Sequence, residues 1–153
     1  MNKGKCCFFG HRKLSVTPEL VERITKEIES LIVQKGVDTF YFGSKSDFDT
    51  LCLDVVTDLK KKYPHICRVY VRAAFPDICD SYEGYLLQRY DSTYFAEKIR
   101  GAGKASYVER NQDMINQSDY CIVYYDPDYL PPRRRNAKRD FDDYQPKSGT
   151  SLA

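Results

Sequence analysis

A chain of 153 residues, 42% hydrophobic and 30% charged, is one domain's worth of polypeptide, and this composition excludes disorder over most of its length. The formal net charge of +2 is too small for a global field to attract nucleic acid or a membrane surface, so any such partner must be recognised by a local cluster. No apolar run approaches the ~18 residues of a membrane span and no secretory leader is apparent, which leads us to expect a cytoplasmic protein with no membrane partner.

Taken in chain order, the first apolar run, Cys6 to Phe9, predicts a buried strand, with Gly10 permitting a sharp exit into His11 and Arg12. Thr17-Pro18-Glu19 then offers a capping hydroxyl, a proline at the first helical position and an acid near the positive end of the dipole. Leu20, Ile24, Ile28, Leu31 and Ile32 follow at helical spacing, which predicts a helix ending near Gly36. The next unit repeats the pattern: a short aromatic strand ending at Gly43, then a helix through Leu51, Val55 and Leu59. "ICRVYVRAA" predicts a third strand, Ile66 to Ala73, apolar enough for a sheet covered on both faces.

Residues 75–104 are interrupted by Pro76, Gly84, Gly101 and Gly103, and their tyrosines show no period; a partly helical excursion is expected there. A short helix from about Val108 to Ser118 and a strand from Tyr120 to Tyr125 come next. Residues 126–147 read as a basic and then acidic loop, in which Arg133, Arg134, Arg135, Lys138 and Arg139 precede Asp140, Asp142 and Asp143. Among the six cysteines, Cys6, Cys7, Cys67 and Cys121 fall in apolar runs and are expected to be buried thiols. With no C-x-x-C pair and two histidines far apart, neither a metal site nor a cofactor is expected.

The alternation predicts an α/β fold, a Rossmann-like three-layer sandwich with a mainly parallel sheet, as a single domain over residues 1–153. In such sheets ligands bind beyond the carboxyl ends of the strands, where helix N-termini favour anions. Three loops combine a glycine with hydroxyl or cationic side chains: Gly10-His11-Arg12, Gly43-Ser44-Lys45-Ser46 and Ser148-Gly149-Thr150-Ser151. Together they predict a phosphate cradle. No Walker motif and no complete G-x-G-x-x-G is present, and "GAGKAS" at Gly101 to Ser106 lacks the Walker spacing and follows no predicted strand.

"CCFFGHR", "FGSKSDFDTLCLDVV", "YVERNQDMINQSDYCIVYYD" and "KSGTSLA", in that order and over nearly the whole chain, resemble the signature segments of the SLOG superfamily, relatives of the lonely-guy phosphoribohydrolases and of the DNA-processing protein A fold. The resemblance implies a Rossmann-like sheet that binds a nucleotide or a nucleotide-derived small molecule. It places Gly10, His11 and Arg12 in a first ligand loop and Gly43 with Ser44 in a second. By the same resemblance Asp47 and Asp49 start the second helix, where they cap it or meet a ribose hydroxyl; Arg110 and Asn111 face the crevice, and Ser148, Gly149 and Thr150 receive phosphate. Lonely-guy enzymes carry a glutamate soon after their Gly-Thr loop and a longer Pro-Gly-Gly loop, whereas here "PKSGTSLA" ends at Ala153. The expectation is therefore a domain lacking a C-terminal helix and strand, and, by analogy with lonely-guy relatives, a homodimer.

Phosphate-binding loops without an evident catalytic acid point first to a sensor or sequestering module, with Tyr41, Tyr124 or Tyr125 packing near a base. The alternative is a hydrolase of the N-glycosidic bond of a nucleoside monophosphate or NAD-like compound, with Arg12 or Arg110 holding phosphate and Asp47, Asp49 or Glu109 as the carboxylate. Nucleic-acid or protein binding through the 133–139 basic loop, beside Tyr129, ranks last because of the adjacent acidic trio. Each site residue also has a plainer role: Asp47 as a helix cap, Asp49 as a first-turn acid, Arg110 and Asn111 as anchors of their helix, His11 as packing beneath the first loop, and Asp119 in the turn before the last strand.

Overall fold

The computed structural model describes residues 4–43 and 46–125. Over them run β1 (Gly4–Phe9), α1 (Pro18–Lys35), β2 (Val37–Phe42), α2 (Asp47–Lys62), β3 (Cys67–Arg72), α3 (Asp80–Leu86), β4 (Ser92–Phe95), α4 (Ser106–Gln117) and β5 (Tyr120–Val123), with two 3-10 turns between β4 and α4. The strands form one sheet in the order β4-β3-β2-β1-β5, and each adjacent pair is parallel. This is the expected Rossmann-like α/β sandwich. The chain moves outward from β1 to β4 and then returns to the other side of β1, so the order reverses between β1 and β5.

Local chemistry sets the element ends. The Thr17 hydroxyl accepts the Leu20 N–H at 3.2 Å, Pro18 opens α1, and Gly36 closes it in the left-handed region at φ 68°. Ser46 caps α2 by accepting the Asp49 N–H at 3.1 Å. Alternation along β1 then divides the core. Cys6 and Phe8 join the apolar side chains of α1 and α2 on one face, while Cys7 and Phe9 meet Met114 of α4 on the other. Phe8 stacks on Phe40 and Phe42 at centroid distances of 6.0 and 5.0 Å, which makes the first face an aromatic layer.

Two expectations need correction. The interrupted region after β3 contains β4 as well as the short helix α3; a four-residue strand of polar and aromatic residues, half exposed at the sheet edge, leaves no apolar run to detect. Cys67 and Cys121 are exposed, whereas Cys6, Cys7 and Cys52 are buried. Cys67 opens β3 at the sheet's margin, and Cys121 lies on the outermost strand beside β1, so an apolar run alone overstates their burial. Burial pushes the Cys6 and Cys52 thiols up, keeping them neutral in the core.

Both edge strands are docked in the same way. Asp119, just before β5, donates its N–H to the Lys5 carbonyl at 2.8 Å while its carboxylate accepts the Lys5 N–H at 3.0 Å. Asp91, just before β4, donates to the Arg68 carbonyl at 2.7 Å and accepts the Arg68 N–H at 2.8 Å. The Arg68 guanidinium adds a forked pair to the Asp91 carboxylate at 3.0 and 3.2 Å. An aspartate thus pins each edge strand to its neighbour before pairing starts. Asp91→Ala is expected to cost about 1–2 kcal/mol, and Asp119→Ala, which loses one such bond and no arginine fork, less than that. Urea denaturation of the two variants measures the difference.

Candidate functional site

Parallel strands bring all their carboxyl ends to one edge, so the ends of β1 and β2 lie side by side there. The need for glycine at these ends is steric. Neither Gly10 nor Gly43 has a positive φ. A Cβ at Gly10 would stand 2.2 Å from the Phe48 ring, a core side chain at the start of α2. A Cβ at Gly43 would stand 2.8 Å from both the Arg110 Nε and the Met114 Sδ. Each glycine therefore lets a helix approach a strand end: α2 at β1, and α4 at β2.

Two buried charges hold the Gly43 backbone from its two sides. Asp49, 4% exposed, accepts the Gly43 N–H through Oδ2 at 3.3 Å, and the guanidinium of Arg110, also 4% exposed, donates through Nη1 to the Gly43 carbonyl. The Nε and Nη2 of Arg110 both donate to Asn111 Oδ1, at 3.3 and 3.1 Å, and its Cζ lies 5.5 Å from the Tyr107 ring centroid. Burial pulls the Arg110 pKa below the ordinary arginine value, with Tyr70, Asp49 and Tyr107 opposing it. The group stays a cation at neutral pH because arginine starts so far above it. The carboxylate–glycine–guanidinium arrangement holds the β2 strand end between two buried, opposite charges.

The first loop is fastened to the same helix. Asp47 donates its N–H to the Arg12 carbonyl at 2.8 Å, and its Oδ2 accepts the Leu14 N–H at 3.0 Å. Its side chain therefore ties two loops together, while Ser46 caps the helix. His11, 2% exposed, lies with its ring edge-on to Tyr124 at 5.9 Å and tilted against Tyr125 at 5.5 Å. Tyr124 in turn stacks on Phe48 at 5.9 Å. Arg12 is exposed beside these rings in the sequence, at the point where the strand order reverses.

The remaining expected residues are more scattered. Asn111 is partly buried and engaged by Arg110, and Glu109 is exposed on α4. Tyr41 is buried on the α4 face, edge-on to Tyr94 at 6.4 Å. Tyr124 and Tyr125 do flank the first loop. Ser44, Ser148, Gly149, Thr150 and the 126–147 loop lie outside the described residues. Phe48 and Met114, which give the two glycines their purpose, were read only as members of their segments. A glycine at a strand end followed by an aromatic at the next helix start is the signal that points to such a contact.

A family model described as the YspA SLOG family matches residues 6–149. The chain belongs to this family. The match runs from β1 through both glycine ends and α4, so the elements that build the site are family elements. No curated protein matches the chain. Membership supports the fold and is consistent with a nucleotide-related ligand, and no described helix is long and apolar enough to cross a membrane.

The buried clamp makes a stability prediction. Arg110→Ala leaves the Asp49 carboxylate buried without its nearby cation and is expected to cost about 3 kcal/mol. Adding Asp49→Asn should cost less than the sum of the two single changes, because both act on one backbone position. Gly10→Ala drives a methyl into Phe48 and should cost about 1–3 kcal/mol by overpacking. Guanidinium chloride denaturation measures all of these.

Proposed function

We propose that the carboxyl edge of the sheet around β1, β2 and β5 is a nucleotide-binding crevice, in which Gly10, His11, Arg12 and Gly43 form the inner wall of a phosphate site. The protein then acts as a sensor or sequestering module for a nucleotide or nucleotide-derived ligand. The observation that carries this reading is that the first turn of α2 holds both loops, the Arg12 carbonyl through the Asp47 N–H and the Gly43 N–H through Asp49, with Arg12 exposed and the Gly43 carbonyl taken by the buried Arg110. An arginine offers a phosphate forked, charge-assisted hydrogen bonds, the role we assign to the exposed Arg12. The strand order reverses between β1 and β5, and a reversal of this kind is where open α/β sheets take their ligands, which supports a site at the end of β1. Ser44, Ser148, Gly149 and Thr150 complete the cradle in this reading, and a ring on the ligand packs against Tyr125, which is 54% exposed.

The engagement of the carboxylates favours binding over cleavage. Asp47 is occupied by the Leu14 N–H and Asp49 by the Gly43 N–H, and Glu109 is exposed on α4. A carboxylate that protonates or stabilises a departing base must reach the anomeric carbon, whereas these two serve the backbone.

Thermal-shift measurements against nucleoside mono-, di- and triphosphates, NAD and ADP-ribose test the proposal, with each mixture then chromatographed for released base. A ligand at a hundred times its Kd adds about 2.7 kcal/mol and should raise the Tm by several degrees. Arg12→Ala should weaken the best ligand by about tenfold or more, the value of one charged hydrogen bond, and leave the unliganded Tm unchanged. Ligand recovered intact agrees with a binding module, released base assigns the hydrolase, and the absence of any shift removes the crevice reading.

A further inference from the structure

Beyond the β3 strand end, three features coincide that the phosphate site does not use. Phe75 is 65% exposed, yet its backbone sits at φ 60°, a region that a bulky non-glycine side chain rarely enters. Arg72, the last residue of β3, is spent on holding this conformation: its Nε donates to the Phe75 carbonyl at 3.1 Å and its Nη2 to the Pro76 carbonyl at 3.3 Å, while its Nη1 reaches Thr93 at 3.2 Å. Around the displayed ring stand other aromatics. Tyr82 meets Phe75 at 6.3 Å and stacks on Tyr85 at 6.3 Å. Tyr107, 61% exposed, lies over the Arg110 cation. Tyr107 lies in the first turn of α4, the helix that reaches the β2 end through Arg110.

A buried arginine spent on keeping a strained loop so that a large ring faces water is hard to reconcile with stability alone. Folding gains nothing from an exposed ring, and a glycine at Phe75 would avoid the strain. A ring-shaped ligand gains from it, since aromatic faces stack on heterocycles. Along the sheet edge from β3, the next strand is β2, whose end meets Arg110, and past β1 comes β5, followed by Tyr124 and Tyr125. Strand spacing separates β3 from β5 by roughly 14 Å, comparable with the reach of an extended ligand that has a ring at each end and phosphates between. The order along the sheet edge is thus aromatic, cationic, aromatic.

We propose that Phe75, flanked by Tyr82, is a second ring-binding subsite, and that the crevice takes a ligand with two heterocycles joined through a diphosphate. This rests on the phosphate-site reading above. The subsite selects two-ring ligands over mononucleotides carrying the same number of phosphates.

Calorimetric titration of the full chain with ADP and with diadenosine diphosphate tests it. The wild-type protein should bind diadenosine diphosphate at least tenfold more tightly than ADP, and Phe75→Gly should remove most of that preference while leaving ADP affinity within twofold. Phe75→Gly should also raise the Tm, since it relieves the positive φ, and Phe75→Tyr should retain the preference. Equal affinities for the two probes in the wild type, or a preference that survives Phe75→Gly, overturn the second subsite but leave the phosphate site standing. Binding of neither probe overturns both.

Discussion

The arrangement on which the site depends is the capture of the Gly43 backbone between two buried charges. A strand end is ordinarily free to splay, because its last carbonyls and amides have run out of partners. Here Asp49, from the helix that follows, takes the N–H, and Arg110, from a helix more than sixty residues further along the chain, takes the carbonyl. One residue thereby locks the β2 end to helices on both faces of the sheet. The cost of burying two charges is met by their mutual field and by hydrogen bonds to the backbone and Asn111. The same arrangement fixes the Gly43 backbone at the edge where strands present their ends.

The glycines follow from this packing. Gly43 cannot carry a side chain because the clamp and Met114 fill the space where a Cβ would stand, and Gly10 cannot because Phe48 does. Asp47 adds a connection between the two loops, so a displacement of one must be felt by the other. The edge strands are held by a different device, the aspartates that precede β4 and β5. The centre of the sheet is therefore secured by apolar layers and its margins by paired backbone and carboxylate bonds.

Much of this was legible in the sequence where a pattern had a single physical cause. The Thr17-Pro18 helix start, the Gly36 stop and the apolar runs of β1, β2 and β3 were readable because capping chemistry and burial leave local traces, and β5 was readable from its apolar run although half of it is exposed at the edge. β4 was hidden because an exposed edge strand needs no apolar run, and Cys67 and Cys121 were misjudged because a run's character does not tell which of its members reaches the margin. At Gly10 and Gly43 the sequence suggests a turn, and close packing is what requires glycine there. Asp49 and Arg110 were named, whereas their joint hold on one glycine spans the chain and leaves no local spacing to read. The positive φ of Phe75 is a property of the fold, with nothing in "AAFPDI" to announce it.

The account's central claim is that the clamped strand end and the first loop receive phosphate. A heteronuclear NMR titration of the backbone amides with inorganic pyrophosphate tests it most directly, because that probe has no ring and reports the anion site alone. The account predicts the largest shifts at Gly10, His11, Arg12 and Gly43, saturating together with one affinity. Shifts confined to the 133–139 basic loop, or none at the two glycines, would contradict it.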